Sequence, residues 1–381
     1  MLKVGMAGRN VRRQAAPFLF TPTLPSSLSI MRRHLLRLLT AVFLLALPCT
    51  ALRAQRFLPQ PLTYVPADSV VVWGEGLSDL RGVAMLADAN PGAAIADTPA
   101  ADSSRLYALW QSTCAPHLSP AGLWPGKKSK ARREHMGRTT AMVHHAARLF
   151  LLTGDGALMD AAERALYNDV LTCAVDSLAP TADRHLAAKA LFASAGMVYA
   201  TQGNGLWVNL FTNSTTRIRT AQFACVIDQL TAMPFGPRHK IRLSSLRRSQ
   251  ERIVLHLRLP VWAISAAQHS GQQGLPKGAP LVCINGREAL GVTYADGYVV
   301  IDRRWRNGDE VMIEWPLSPR PQTVGSRNAL CSGPLVLRPA DGSSAHHLPK
   351  GPWTEETDDE GYPAWRTGER LWMPMVRCPK E

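Results

Sequence analysis

The chain has 381 residues, 46% of them apolar and 19% charged, which is ordinary for a folded protein and excludes global disorder. Its formal net charge is +14, but the first 54 residues carry eight Lys/Arg (Lys3, Arg9, Arg12, Arg13, Arg32, Arg33, Arg37, Arg53) and no acid. Without them the balance falls to +6, so the basic character gives no case for nucleic acid as a partner.

Those residues are expected to be a targeting segment. Met31 opens "MRRHLLRLLTAVFLLALPCTALRAQ", with Arg32 and Arg33 ahead of an apolar run from Leu38 to Leu47 and small residues from Ala51 to Ala54. This is the layout of a secretory signal peptide, with an apolar run too short to span a bilayer comfortably. The segmentation is then 1–30 as an over-extended start, 31–54 as signal peptide, and a secreted or periplasmic protein with no stable membrane span once the signal is removed. Six of the seven cysteines lie beyond the signal (Cys114, Cys173, Cys225, Cys283, Cys331, Cys378). No C-x-x-C pair occurs, so neither a zinc ribbon nor a redox motif is legible, and the spacings dictate no disulfide pairing.

Residues 55–136 are Pro-, Ala- and Asp-rich, with a strand at "DSVVVWGEG", short helices at "LSDLRGVAMLADA" and "SSRLYALWQ", and a loop over 113–136 holding the basic run "GKKSKARREH". Residues 137–200 are helical. Met142, Ala146, Leu149 and Leu152 recur at helical steps, Gly154 supplies a left-handed stop, and Asp155 caps a second helix with Leu158, Ala162, Ala165 and Leu166 on its buried stripe. A third helix is predicted over Asp183–Ala200. The period then changes to two. Leu206, Val208 and Leu210 face opposite to Trp207, Asn209 and Phe211, and Ile253, Leu255, Leu257 and Leu259 opposite to Val254, His256 and Arg258. Turn dipeptides at Asn285-Gly286, Asp296-Gly297 and Asn307-Gly308 punctuate short strands, and "YVVIDRRWRNGDEVMIEWPL" reads as a hairpin. Residues 201–325 are therefore expected to be an antiparallel β-sandwich. Residues 326–381 form a β and irregular tail with a strand at "GPLVLRP".

Five stretches in order carry a family likeness: "RLFLLTGDGALMDAAERALYNDVL", "GMVYATQGNGLWVNLF", "LHLRLPVWA" followed by "INGRE", "WRNGDEVMIEWPLSPRP" and "GPLVL". Together they resemble glycoside hydrolase family 127, the β-L-arabinofuranosidase-like proteins, over roughly residues 137–340. The resemblance implies an (α/α)6 barrel followed by β-sandwich domains. Here the helical region is long enough only for part of such a barrel, so the expected class is mixed and multidomain, a partial (α/α)6-barrel-like region followed by an antiparallel sandwich.

The family's chemistry, as the resemblance implies it, is a cysteine thiolate kept deprotonated by zinc, with a glutamate as acid/base. That is sound chemistry, because the thiolate is the nucleophile and the metal lowers its pKa. The family's Glu-Thr-Cys falls on His135, Met136 and Gly137, and its Cys-Cys-Pro on Ala182, Asp183 and Arg184. The implied zinc site is therefore not preserved, and no cofactor is expected. Glu134 lies one position from the glutamate. Glu134 and Asp183 are the candidate acids of a rebuilt site, and Trp110, Trp124 and His145 are candidate sugar-binding residues. Trp207 and Trp262 are further aromatics that read more simply as core. Asp155, Asp160 and Glu163 contain a possible carboxylate pair, although acids at a helix start ordinarily answer its dipole. The expected function is an exported GH127-like protein, inactive or sugar-binding, with carbohydrate (arabinose-containing glycans) as partner. The alternative is an active glycosidase with a rebuilt carboxylate or histidine site.

Overall fold

The computed structural model describes residues 58, 60–66, 70–72, 103–123, 134–264, 279–343, 347–358 and 361–375. The predicted signal, the helix at "LSDLRGVAMLADA", the basic run through Arg133 and Trp124 lie outside the described residues. Two short strands come first, β1 (Thr63–Tyr64) and β2 (Val70–Val72). Helix α1 (Ser103–Leu109) runs into a π turn at Trp110–Cys114. A small hairpin follows, β3 (Leu118–Ser119) and β4 (Gly122–Leu123). Gly122 sits at φ +120°, and a Cβ there would meet the Ala165 backbone at 3.1 Å, so only glycine lets this hairpin approach the helices.

The helical block folds as its sequence dictates. α2 (His135–Thr153) ends on Gly154 at φ 69°, whose N–H donates to the Phe150 carbonyl. Asp155 then caps α3 (Gly156–Ala165), its side chain accepting from the Ala157 N–H at 3.0 Å. α3 continues through a π turn (Leu166–Leu171) and a last α turn (Thr172–Val175). α4 (Thr181–Ala195) stops at Gly196, earlier than the expected Ala200. The residues after it instead form strand β5 (Tyr199–Gln202), which pairs with β6 (Gly205–Val208) across a turn at Gly203.

Two sheets follow, and they are interlaced rather than sequential. β7 (Ser214–Arg219), β8 (Ala224–Thr231) and β9 (Arg238–Ser244) form a meander in the second sheet. β10 (Glu251–Arg258) returns to the first sheet, beside β6 and parallel to it. β11 (Val282–Ile284) and β12 (Arg287–Glu288) make the hairpin announced by Asn285-Gly286. β13 (Thr293–Ala295) and β14 (Tyr298–Trp305) make the one announced by Asp296-Gly297. β15 (Glu310–Glu314) pairs with β9 and β11, not with β14. The first sheet runs β1-β5-β6-β10-β14-β13 and the second β12-β11-β15-β9-β8-β7-β2.

Two expectations are corrected here. Asn307-Gly308 is a crossover between sheets, not a hairpin turn, because the dipeptide sets local geometry but not the partner. The sandwich also contains one parallel pair, since the chain visits the second sheet between β6 and β10.

Third comes a sheet ordered β16-β17-β18-β21-β20-β19. It comprises β16 (Arg320–Val324), β17 (Arg327–Ser332), β18 (Leu335–Pro339), β19 (Thr354–Thr357), β20 (Pro363–Thr367) and β21 (Arg370–Pro374). It has its own small core around Leu330, Leu337, Trp365 and Trp372. Asn168 ties it to α3's π turn: its amide donates to the Pro334 carbonyl and its oxygen accepts from the Val336 N–H at 2.7 Å.

Layering explains the burial. The first sheet packs on the second through Ile253, Leu255 and Leu257, and on the helices through its other face, where Tyr298 meets Phe150. All four residues of β6 are therefore buried, so both faces of its alternating pattern are covered. The described part thus has few helices and many strands in several sheets. No helix among the described residues is long and apolar enough to cross a membrane.

Candidate functional site

Two clusters of charged groups lie on the helical layer. The first is closed. Arg258, at the end of β10, is fully buried and bonds Asp160 and Glu163 of α3 and the Asn209 carbonyl. The carboxylates are otherwise satisfied: Asp160 accepts from the Val261 N–H at 2.9 Å and Glu163 from Trp262 Nε1 at 3.0 Å. Burial alone would favour a neutral guanidine, but Glu163 and Asp160 more than reverse that, so the Arg258 pKa is raised. The possible carboxylate pair in α3 is therefore neutralised inside a helix–sheet joint that leaves a substrate no room.

The second cluster is open, at the end of the layer where α2 begins. His135 Nε2 lies 2.9 and 2.7 Å from the two carboxylate oxygens of Asp169, and Thr139 Oγ1 donates to the same carboxylate at 2.7 Å. His135 and Asp169 retain 21% and 17% side-chain exposure, enough for a solute to reach them. Asp169 stands in the π turn after α3, where one inserted residue re-aims the side chains. Cys173, one turn on, is half-buried. Burial first, then the charges of Asp183, Asp169 and Asp176, push its thiol up to about 11, with Arg184 opposing. That surrounding keeps it a protonated thiol at neutral pH.

The candidates named from sequence fall out as follows. Glu134 is exposed at the N-cap of α2, without a side-chain capping bond. Asp183 is half-buried in the first turn of α4 and acts electrostatically on Cys173. Trp110 is 6% exposed and stacks on His145, ring centres 5.9 Å apart, while His145 Nε2 lies 2.8 Å from the Leu106 carbonyl. Both are packed partners of each other. Trp207 lies flat on His256 at 3.9 Å, and Trp262 is buried. Asn213, which heads an N-x-S/T sequence, is buried with its oxygen accepting from the Thr231 N–H. Sequence reading missed the His135–Asp169 pair. Its members are 34 positions apart and no local pattern joins them.

At the six positions expected from sequence to answer the family's metal and thiol residues stand His135, its imidazole held by Asp169, the buried Met136, Gly137, Ala182, Asp183 and Arg184. None of these six side chains is a thiol. Among the described residues no three His, Cys, Asp or Glu side chains converge closely enough to hold a metal.

Comparison with known proteins places the chain as GH127-like. Residues 205–317 match the family model described as the beta-L-arabinofuranosidase, GH127 middle domain. The fold is similar to the crystal structure of a GH127 β-L-arabinofuranosidase from Geobacillus stearothermophilus T6. The TM-score is 0.55 at 19% identity, covering 78% of this chain and 52% of that one. A second structure, a GH127 β-arabinofuranosidase, gives a TM-score of 0.46 at 19% identity, covering 61% and 45%. The chain thus spans about half the length of these relatives. No curated protein sequence matches it.

Proposed function

We propose that this is an exported, GH127-like carbohydrate-binding protein for arabinose-containing glycans that works without zinc–thiolate hydrolysis. The observation that carries the reading is Cys173. It lies one turn beyond Asp169, and burial with three carboxylates holds it as a thiol. The family likeness supplies the substrate class. On this reading α2, α3 and α4 are the late helices of an (α/α) barrel, and residues 31–54 are an export signal.

A second reading rests on the open cluster. His135 held by Asp169, with Thr139 beside it, is the arrangement by which a carboxylate orients an imidazole for general-base work. With Glu134 or Asp183 as the acid it would be a rebuilt hydrolase.

The test is hydrolysis of an aryl β-L-arabinofuranoside by the purified protein, with zinc measured on the same sample and melting followed with arabinose-containing oligosaccharides. Binding without turnover or zinc is the expected result. Turnover lost on His135→Gln or Asp169→Asn, and reduced by Glu134→Ala or Asp183→Ala, would establish the second reading. Stoichiometric zinc with turnover would overturn both.

A further inference from the structure

β7 presents Arg217 and Arg219 to solvent, alternating with buried Thr216 and Ile218. Across the ladder they face Val226 and Ala224, and Ser244 lies one strand further, so among the described residues on that side no acid stands opposite either. The acid on β8, Asp228, is opposite Thr215 and accepts its hydroxyl at 2.8 Å. Among the described residues neither guanidinium makes an ion pair or hydrogen bond. A third arginine is fixed beside them. Arg247 donates to the carbonyls of Thr220 at 2.7 Å and Ala221 at 3.2 Å, in the turn that joins β7 to β8.

Two clefts meet on this strand and share Arg217, Ile218 and Arg219. One, of roughly 410 Å³, extends towards Ser245 and Arg247. The other, of roughly 630 Å³, extends towards Thr63, Thr201 and Pro66. Thr63 and Thr201 are direct partners in the β1–β5 pairing, so the second cleft is lined by two neighbouring threonines together with the apolar Val65 and Pro66. Among the described residues neither lining contains a carboxylate.

We propose that this double cleft binds an acidic glycan, with Arg217 and Arg219 receiving the carboxylates of uronate units. The proposal rests on the carbohydrate reading above and specifies a charge class for the ligand. A guanidinium matches a carboxylate in a two-point fork, and the unpaired arginines supply that donor geometry. The hydroxyls and the apolar Val65 and Pro66 suit a sugar ring, which carries polar edges and aliphatic faces. A nucleic acid fits less well. The aromatic in the lining, Tyr64, has its ring stacked on Phe150 and its hydroxyl donating to the Ala147 carbonyl, so no free ring is offered to a base.

The test is titration of the full chain with oligogalacturonate, neutral arabinan, and polyphosphate or single-stranded DNA of matched charge. Wild type is compared with R217Q/R219Q, whose exposed side chains leave the melting temperature unchanged. The expected result is oligogalacturonate affinity at least about tenfold lower in the double variant, a similar loss for wild type between low and high salt, and unchanged arabinan binding. Oligogalacturonate binding that is absent or indifferent to the variant, with arabinan still bound, overturns the acidic-glycan assignment alone. Equal or tighter binding of polyphosphate or DNA overturns it in favour of a general polyanion surface. No binding of any glycan overturns it together with the carbohydrate reading.

Discussion

The two charged clusters on the helical layer use similar side chains under different conditions. Around Arg258 every charge is buried, at 4% exposure or less, and each carboxylate has a second donor besides the guanidinium. Around Asp169 the groups stay partly wet, and the cluster joins neighbouring helices rather than a helix to a sheet. The difference separates a joint from a site. Charges sealed on all sides can only hold the layers together, whereas charges with a solvent-facing side remain available for chemistry.

The sharpest way to test that contrast is Arg258→Met. It strands two buried carboxylates and should cost about 3–5 kcal/mol, read by urea unfolding. A loss below 1 kcal/mol would mean that the joint is wetter than it looks. Acid sensitivity is read as a slope against pH rather than as a single loss. Burial holds His256 down to about 4 and His239 to about 3 in the folded protein, against an ordinary 6.5. Both are depressed, so the folded state takes up protons less readily than the unfolded one. Their stabilisation is complete above pH 6.5 and is lost as pH falls from 6.5 towards 4, at about 1.4 kcal/mol per pH unit for each group. His256→Phe keeps the stack on Trp207 and should remove about half of that slope.

Next comes Asn168→Ala. It deletes two bonds to the third sheet and should cost about 1–3 kcal/mol, with faster amide exchange at Val336 than in β10. Asp169→Asn, in the open cluster, should cost only about 1 kcal/mol while abolishing any turnover the protein has. An effect as large as that of Arg258→Met would erase the distinction between the clusters. Smallest is Asp155→Ala, at about 1 kcal/mol or less from the lost cap, with the fold intact by circular dichroism.

Legibility followed range. Gly154 and Asp155 announced the break between α2 and α3 because a stop and a cap act on their immediate neighbours. Asn285-Gly286 and Asp296-Gly297 announced hairpins for the same reason. Asn307-Gly308 looked identical and was not one, since sheet membership depends on β9 and β11, far away in sequence. The alternation in β10 put Arg258 on the polar side, correctly as to face. It did not show that helices cover that face, because the covering acids lie almost a hundred positions earlier. Asp160 and Glu163 could therefore be suspected of chemistry from sequence, and only the buried guanidinium shows their use. The His135–Asp169 pair had no local signal at all, as a π turn aims Asp169.

The parallel pairing of β6 with β10 also bears on synthesis. β6 gains β5 on one edge at once, but its other edge waits for β10, about fifty residues later. At roughly 5–20 residues per second that is an interval of a few seconds during translation. Through it, the apolar edge carrying Leu206 and Val208 is open to any passing strand, including that of another nascent copy. A chaperone would find its task in that window.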